Sequence, residues 1–277
     1  MIILRLLITV IISLGATFLF AQRIVTLSSA HTETVDALGF GKNIVAVDVT
    51  SEYPEYAKNL PRVSKNRSLS AEGILSFRPQ IVVGDAADIP LTLQHQLKIS
   101  GVKLVLTRQE YSVKGMVKFI RQIAGGIGAG KKGEALAAQT VNAAADAVSY
   151  VKQHRLKDPG VLFIYARGAG VMSVAGKGSS IDAIIRLAGG HNVIKEFNDF
   201  KPYSTEALVK ANPDIILLFD FGLSSLGGKN SVLSMPGVSL TNAGKNQKVI
   251  AMDPHLLINF SVRLPQAILA LHKAFMQ

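Results

Sequence analysis

Side chains able to do chemistry are few in this 277-residue chain, and they are spread out. The six histidines, at positions 31, 95, 154, 191, 255 and 272, stand singly. There is no cysteine, which removes disulfides, thiolate metal sites and thiol nucleophiles. Neither G-x-S-x-G nor H-E-x-x-H occurs and the carboxylates do not cluster, so hydrolase and metallopeptidase chemistry has no anchor. Gly125–Lys132, GGIGAGKK, comes close to a phosphate-binding loop but ends in Lys where Ser or Thr would hold magnesium. It also follows the helix-patterned Val113–Ala124 where that motif needs a strand, so the glycines are expected to break one helix from the next. What remains lies at the ends of β-rich runs: His31 after Arg23–Leu27, Tyr165-Ala-Arg167 closing Val161–Ala166, and His255 after Lys248–Met252 with Arg263 beyond it. Imidazole and phenolate can ligate a metal, guanidinium pairs with carboxylates, and strand-end loops of open α/β sheets face the ligand crevice. His95, His154 and His272 fall in helical patterns and are expected at the surface; His191, after Gly189-Gly190, is expected in a turn.

The elements that must position these groups are legible from periodicity. Short apolar runs at Arg23–Leu27, Ile44–Val49, Ile81–Gly84 and Val102–Thr107, then Val161–Ala166, Ile215–Phe219 and Lys248–Met252, alternate with helical patterns, which predicts α/β architecture with largely parallel sheets. Between the two sets, about Lys131 to His154 is Ala-rich and free of proline, and after Gly133 free of glycine. A helix of that length, ~35 Å at ~1.5 Å per residue, spans about one small domain and reads as a stiff spine between two halves. The expected organisation is two Rossmann-like lobes, residues 22–128 and 158–277, joined by a single long helix at 129–157, with the ligand cleft between the lobes.

An internal repeat supports the two lobes. Ser70-Ala-Glu72 through Pro79-Gln-Ile81 matches Ser204-Thr-Glu206 through Pro213-Asp-Ile215, both reading S-x-E-x6-P-x-I. In each copy Ser can cap a short helix, Glu sits in its first turn where the helix dipole favours an anion, and Pro ends the unit before a buried strand. Glu72 and Glu206 are therefore either helix-start residues alone or matched sockets, one on each lobe, for a two-fold partner.

Residues 2–21 carry one charge, Arg5, followed by an apolar run to Ala21, which reads as a cleavable secretory signal, residues 1–21, with an uncleaved anchor as the alternative. Lys plus Arg outnumber Asp plus Glu by 30 to 19, giving +11 and favouring acidic ligands or anionic surfaces as partners. The basic residues are scattered, aromatics make up 6% and Trp is absent, so no stacking groove for nucleic acid is expected.

Ile24–Gly39, the Val45–Asp48 strand, Leu69–Gly73, Ala183–Gly190 and Lys201-Pro202 together resemble the periplasmic haem-binding proteins of bacterial haem ABC importers, over nearly the whole chain after residue 21. The wider group carries vitamin B12 and iron–siderophores. The choice of haem within it rests on Leu69–Gly73, Leu226-Gly-Gly, and Met252-Asp253 followed by Arg263. The resemblance implies a periplasmic, monomeric binding protein that is not an enzyme, with haem as transported ligand and an ABC permease dimer as partner. A corrinoid or iron–siderophore is the alternative cargo, and a tetrapyrrole-processing enzyme the alternative class. It also implies that Glu72 and Glu206 engage arginines of the two permease subunits. The sequence departs from the pattern where the family usually carries an iron-ligating Tyr two residues before an Arg: Arg67 is present, but Lys65 takes the place of the Tyr. An Arg often found before Gly-Leu in the second lobe is likewise replaced by Phe221. Lys65, Arg67 and Arg263 are then expected to pair propionates, and Tyr165 or His31 to ligate iron, with Arg167 beside the phenolate and His255 as a third candidate.

Overall fold

The computed structural model describes residues 22–154, 157–168 and 172–277. The expected signal segment, 1–21, lies outside the described residues. Among the described residues ten strands form two sheets: β1 (Ile24–Thr26), β2 (Ile44–Val47), β3 (Ile81–Asp85) and β4 (Lys103–Thr107) in the first half, and β5 (Gly160–Ala166), β6 (Met172–Ala175), β7 (His191–Asn192), β8 (Phe200–Lys201), β9 (Ile215–Phe219) and β10 (Val249–Met252) in the second. The first sheet has the order β2-β1-β3-β4 and is parallel throughout. The second runs β10-β9-β5-β6-β8, with β7 beside β5. Its β10, β9, β5 and β7 are parallel, while β6 and β8 add antiparallel pairings that the sequence reading did not contain.

Both sheets are covered on two faces, so their strands are apolar runs rather than alternating ones. In β5 the period-two geometry still sorts the side chains: Val161 and Phe163 enter one core and Leu162, Ile164 and Ala166 the other. Tyr165 follows Phe163 on the first face and is the one β5 residue that is only half-buried.

The spine helix runs from Gly130 to Gln153. Its buried residues Ala137, Thr140, Ala144, Ala147 and Val151 recur at three- and four-residue steps, one apolar stripe of mostly small side chains. Two helices pack along it, Val113–Gly126 and Leu264–Met276, so the joint is a helical layer rather than an isolated rod. The first of these helices belongs to both halves: Phe119 and Ile123 join the first lobe's core, Met116 and Ile120 the second's. The break at Ile127–Ala129 leaves the glycine-rich stretch as a helix-to-helix connection, and Gly133 permits close crossing there, since a Cβ would lie 2.3 Å from Ala124 Cβ. His272 corrects the surface assignment. It is fully buried on the same face as Ile268 and Phe275, with Nδ1 2.9 Å from the Ala188 carbonyl oxygen.

The repeat is equivalent in three dimensions. Ser70 Oγ accepts from Gly73 N–H at 3.1 Å and Ser204 Oγ from Ala207 N–H at 3.2 Å, each capping a short helix with its Glu in the first turn. Eight positions after each Ser the chain turns through a left-handed residue, Arg78 at φ 47° and Asn212 at φ 43°, directly before the proline. Among the described residues no helix is long and apolar enough to cross a membrane.

Candidate functional site

A cavity of about 570 Å³ opens between the lobes. Ser28, Ala30 and His31 reach it after β1, Asp85 at the end of β3 and Ala86 to Asp88 after it, Arg108, Gln109 and Tyr111 after β4, and Ile258 and Asn259 from the segment after β10. The carboxyl ends of the first sheet thus face the carboxyl end of β10, the crevice position expected of open α/β sheets. Its first-lobe wall is mixed in charge. Asp85 accepts from the N–H groups of Ala87 and Gln109, and Asp88 is held above the ordinary carboxylate range by burial, then by Asp85 and Asp48, with Arg67 acting against them. Tyr111 is likewise shifted up by burial, then by Asp85, Asp88 and, from the other lobe, Asp199. Arg108 escaped the sequence reading although it directly follows β4, and the strand-end rule that selected His31 selects it equally well.

The second lobe presents a different surface at the same end of its sheet. Tyr165 rests edge-on against Phe200, Phe219 and Phe221, with ring centroids 6.4, 6.2 and 5.9 Å away. Arg167, exposed, donates from Nε to Tyr165 Oη at 2.6 Å, and its guanidinium lies over the Phe221 ring at 5.0 Å. A phenolic oxygen has two lone pairs, so one remains available, and the guanidinium stabilises negative charge on that oxygen. Phe221, standing where the resembling family often has Arg, makes the aromatic bed on which Arg167 lies. Phe200, 42% exposed, extends the apolar surface and belongs to an antiparallel strand the sequence did not announce.

The other expected site residues are distributed unequally. Lys65 and Arg67 are exposed in the loop ahead of the Ser70-capped helix. His255 is half-buried in the first turn of the helix Pro254–Ile258, its N–H capped by Asp253. His31 does not present a ring nitrogen to the cleft. It is 1% exposed, with Nδ1 2.5 Å from Ser28 Oγ and Nε2 2.9 Å from Thr107 Oγ1, and burial holds its pKa down at about 3. Both nitrogens are engaged, so iron ligation by His31 would require breaking this network. Arg263 is also committed elsewhere: its Nη2 bonds the buried Glu33 at 2.6 Å and its guanidinium stacks on Tyr53 at 3.9 Å. These contacts take up Nη2 and one face of the guanidinium and compete with the propionate role expected from sequence.

Glu72 and Glu206 are both exposed. Glu206 is held below its ordinary carboxylate range by hydrogen bonds from its own backbone and from Ser204, the capping geometry itself.

Comparison with known proteins places this geometry. The family model described as periplasmic binding protein matches residues 24–256. Among solved structures, the periplasmic heme-binding protein RhuT from Roseiflexus sp. RS-1, in apo form, is 39% identical with a TM-score of 0.87, covering 92% of this chain and 97% of that one. The heme-binding protein HmuT is 30% identical with a TM-score of 0.83, covering 92% of this chain and 84% of that one, and is solved also as variants altered at a histidine, at a tyrosine and at an arginine two positions beyond that tyrosine. An ABC transporter substrate-binding lipoprotein of Bacillus subtilis, YvrC, is 24% identical over 249 residues, 89% of this chain and 77% of that protein. These relatives are binding proteins, not enzymes.

Proposed function

The chain belongs to the periplasmic binding protein family, and from that premise we propose that it captures haem outside the cytoplasm and delivers it to the permease of an ABC importer. The observation that carries haem is the Tyr165–Arg167 pair, a phenol and a guanidinium 2.6 Å apart on a bed of phenylalanines at a strand end. Phenolate is an established class of haem-iron ligand, and phenylalanine faces suit a flat apolar macrocycle. The Tyr-x-Arg spacing also matches the pair of positions altered in the HmuT variants.

In this account Tyr165 supplies the iron ligand, Arg167 holds the phenolic oxygen and its charge, and Phe200 and Phe221 desolvate the ring. Lys65, Arg67 and Arg108 pair the propionates from the opposite lobe, with His255 a secondary candidate on the iron. No bond of the cargo is made or broken. Glu72 and Glu206, one on each lobe, meet the two permease subunits, and the protein acts as a monomer exported by the segment 1–21.

Hemin, cobalamin and a ferric siderophore titrated separately into the purified protein test the cargo. The account expects a shifted, saturable Soret band with hemin. A flat hemin titration beside saturable binding of one of the others reassigns the ligand.

A further inference from the structure

Behind the cavity wall, the joint between the lobes holds a polar cluster centred on a side chain that does not line the cavity. Glu33, from the first lobe, has a side chain with no exposed surface. Its Oε1 accepts from Asn259 Nδ2 at 3.0 Å and Arg263 Nη2 at 2.6 Å, its Oε2 from Ser261 Oγ at 2.6 Å, and Ser29 Oγ adds a longer contact at 3.4 Å. Three of these four donors come from one short segment of the second lobe, Asn259 to Arg263. The same segment is held from two further directions: Gln109 Nε2 donates to the Asn259 carbonyl at 2.7 Å, and Tyr111 packs edge-on against Phe260 with centroids 5.5 Å apart. Phe260 itself is kept at φ 43°, a left-handed conformation that a bulky residue holds only where its surroundings impose it.

We propose that Glu33 is the pin that fixes the angle between the lobes. A spine helix and its flanking helices resist bending, yet they can rock about their packed side chains by small sliding motions. A buried carboxylate satisfied by three groups of the opposite lobe cannot follow such a motion without stranding a charge in the protein interior. Opening the cleft at this edge would separate Glu33 from Asn259, Ser261 and Arg263 together. The lobes therefore meet any cargo at a preset spacing, and Glu72 and Glu206 are presented at a fixed separation. Glu33 is a positioning residue: it is directed at the joint and not at the cargo.

The absence of cysteine makes the test direct, because two introduced thiols are the only ones labelled. Spin labels on Lys98→Cys and Lys210→Cys, exposed positions on opposite lobes, report the interlobe distance distribution by pulsed electron resonance without any ligand. The distribution should be narrow in the otherwise native chain, and roughly twofold broader in Glu33→Gln, which keeps the shape but loses the charge pairing with Arg263. Ser261→Ala, which removes one donor from the second lobe, should broaden it less and serves if Glu33→Gln fails to fold. A distribution as narrow in the folded variant as in the native background overturns the proposal and assigns the angle to the helical layer alone. Since no cargo is present, the result is independent of whether hemin binds.

Discussion

The first sheet, β2-β1-β3-β4, is parallel from edge to edge, whereas the second turns antiparallel at β6 and β8, and the surfaces at the strand ends of the two lobes differ accordingly. On the first lobe, strand ends and the loops after them bring charged groups, Asp85, Asp88 and Arg108, to the crevice, with Arg67 close enough to act on Asp88. On the second, the added strands carry Phe200 to the side of Tyr165, where it joins Phe219 and Phe221 in an aromatic surface. Yet the helix that bears Glu72 and the one that bears Glu206 are built alike, down to the serine cap and the left-handed residue before proline. The repeat persists at the helices that bear Glu72 and Glu206 and dissolves at the strand ends, as the proposed docking to a two-fold permease and capture of a flat cargo would require.

The largest effect is expected where the unlike lobes are tied together. Glu33→Ala strands Arg263 and should lower unfolding free energy by about 3–5 kcal/mol, measured by urea denaturation; a loss under about 1 kcal/mol would mean the lobes need no such tie. Next comes a pH effect confined to the first lobe. His31 is neutral in the folded chain down to about pH 3, while in the unfolded chain it protonates below its ordinary 6.5. The unfolded state therefore binds the extra proton, and His31 removes stability as pH falls from 6.5 towards 3, at up to roughly 1.4 kcal/mol per pH unit. His31→Gln should flatten the pH dependence of urea stability in that window; an equal slope in both proteins would show that His31 is not buried neutral.

Two smaller effects concern how far the asymmetry can be altered. Lys65→Tyr restores a phenol to the first-lobe loop and should tighten hemin binding by on the order of tenfold if that loop faces the iron, as read from competitive hemin transfer. Equal affinity would leave the loop's likeness to the haem binders one of sequence only. Replacing Glu72 and Glu206 together by Ala should leave hemin affinity within about twofold, since exposed charges contribute little, while uptake through the permease falls. Undiminished uptake would return both residues to helix capping.

Much of this was written locally in the chain. Apolar runs located seven strands within a residue or two of their ends, the Ala-rich stretch located the spine, and S-x-E-x6-P-x-I located the matched helices, because each depends on neighbours within a turn or a strand. The missing parts depend on distant partners. Arg263 meets Glu33 across 230 positions, a partner that no local pattern announces. The place of His31 after a strand points to the crevice, but its ring is tied down by Thr107, 76 positions away, and packs against Phe119. The short β6 and β8 exist through pairing with β5 and with each other, and neither has a periodicity of its own. His272 was legible in principle, since it lies four residues beyond Ile268 on the buried stripe of its helix.

The claim that the second lobe carries the iron chemistry is tested most directly by the absorption spectrum of the ferric hemin complex in the native chain and in Tyr165→Phe. The account predicts high-spin ferric iron with a phenolate ligand in the native complex, and in the variant a changed spectrum with hemin loss faster by on the order of 10- to 100-fold. An identical spectrum and an identical rate of loss would contradict it and move the iron to another ligand.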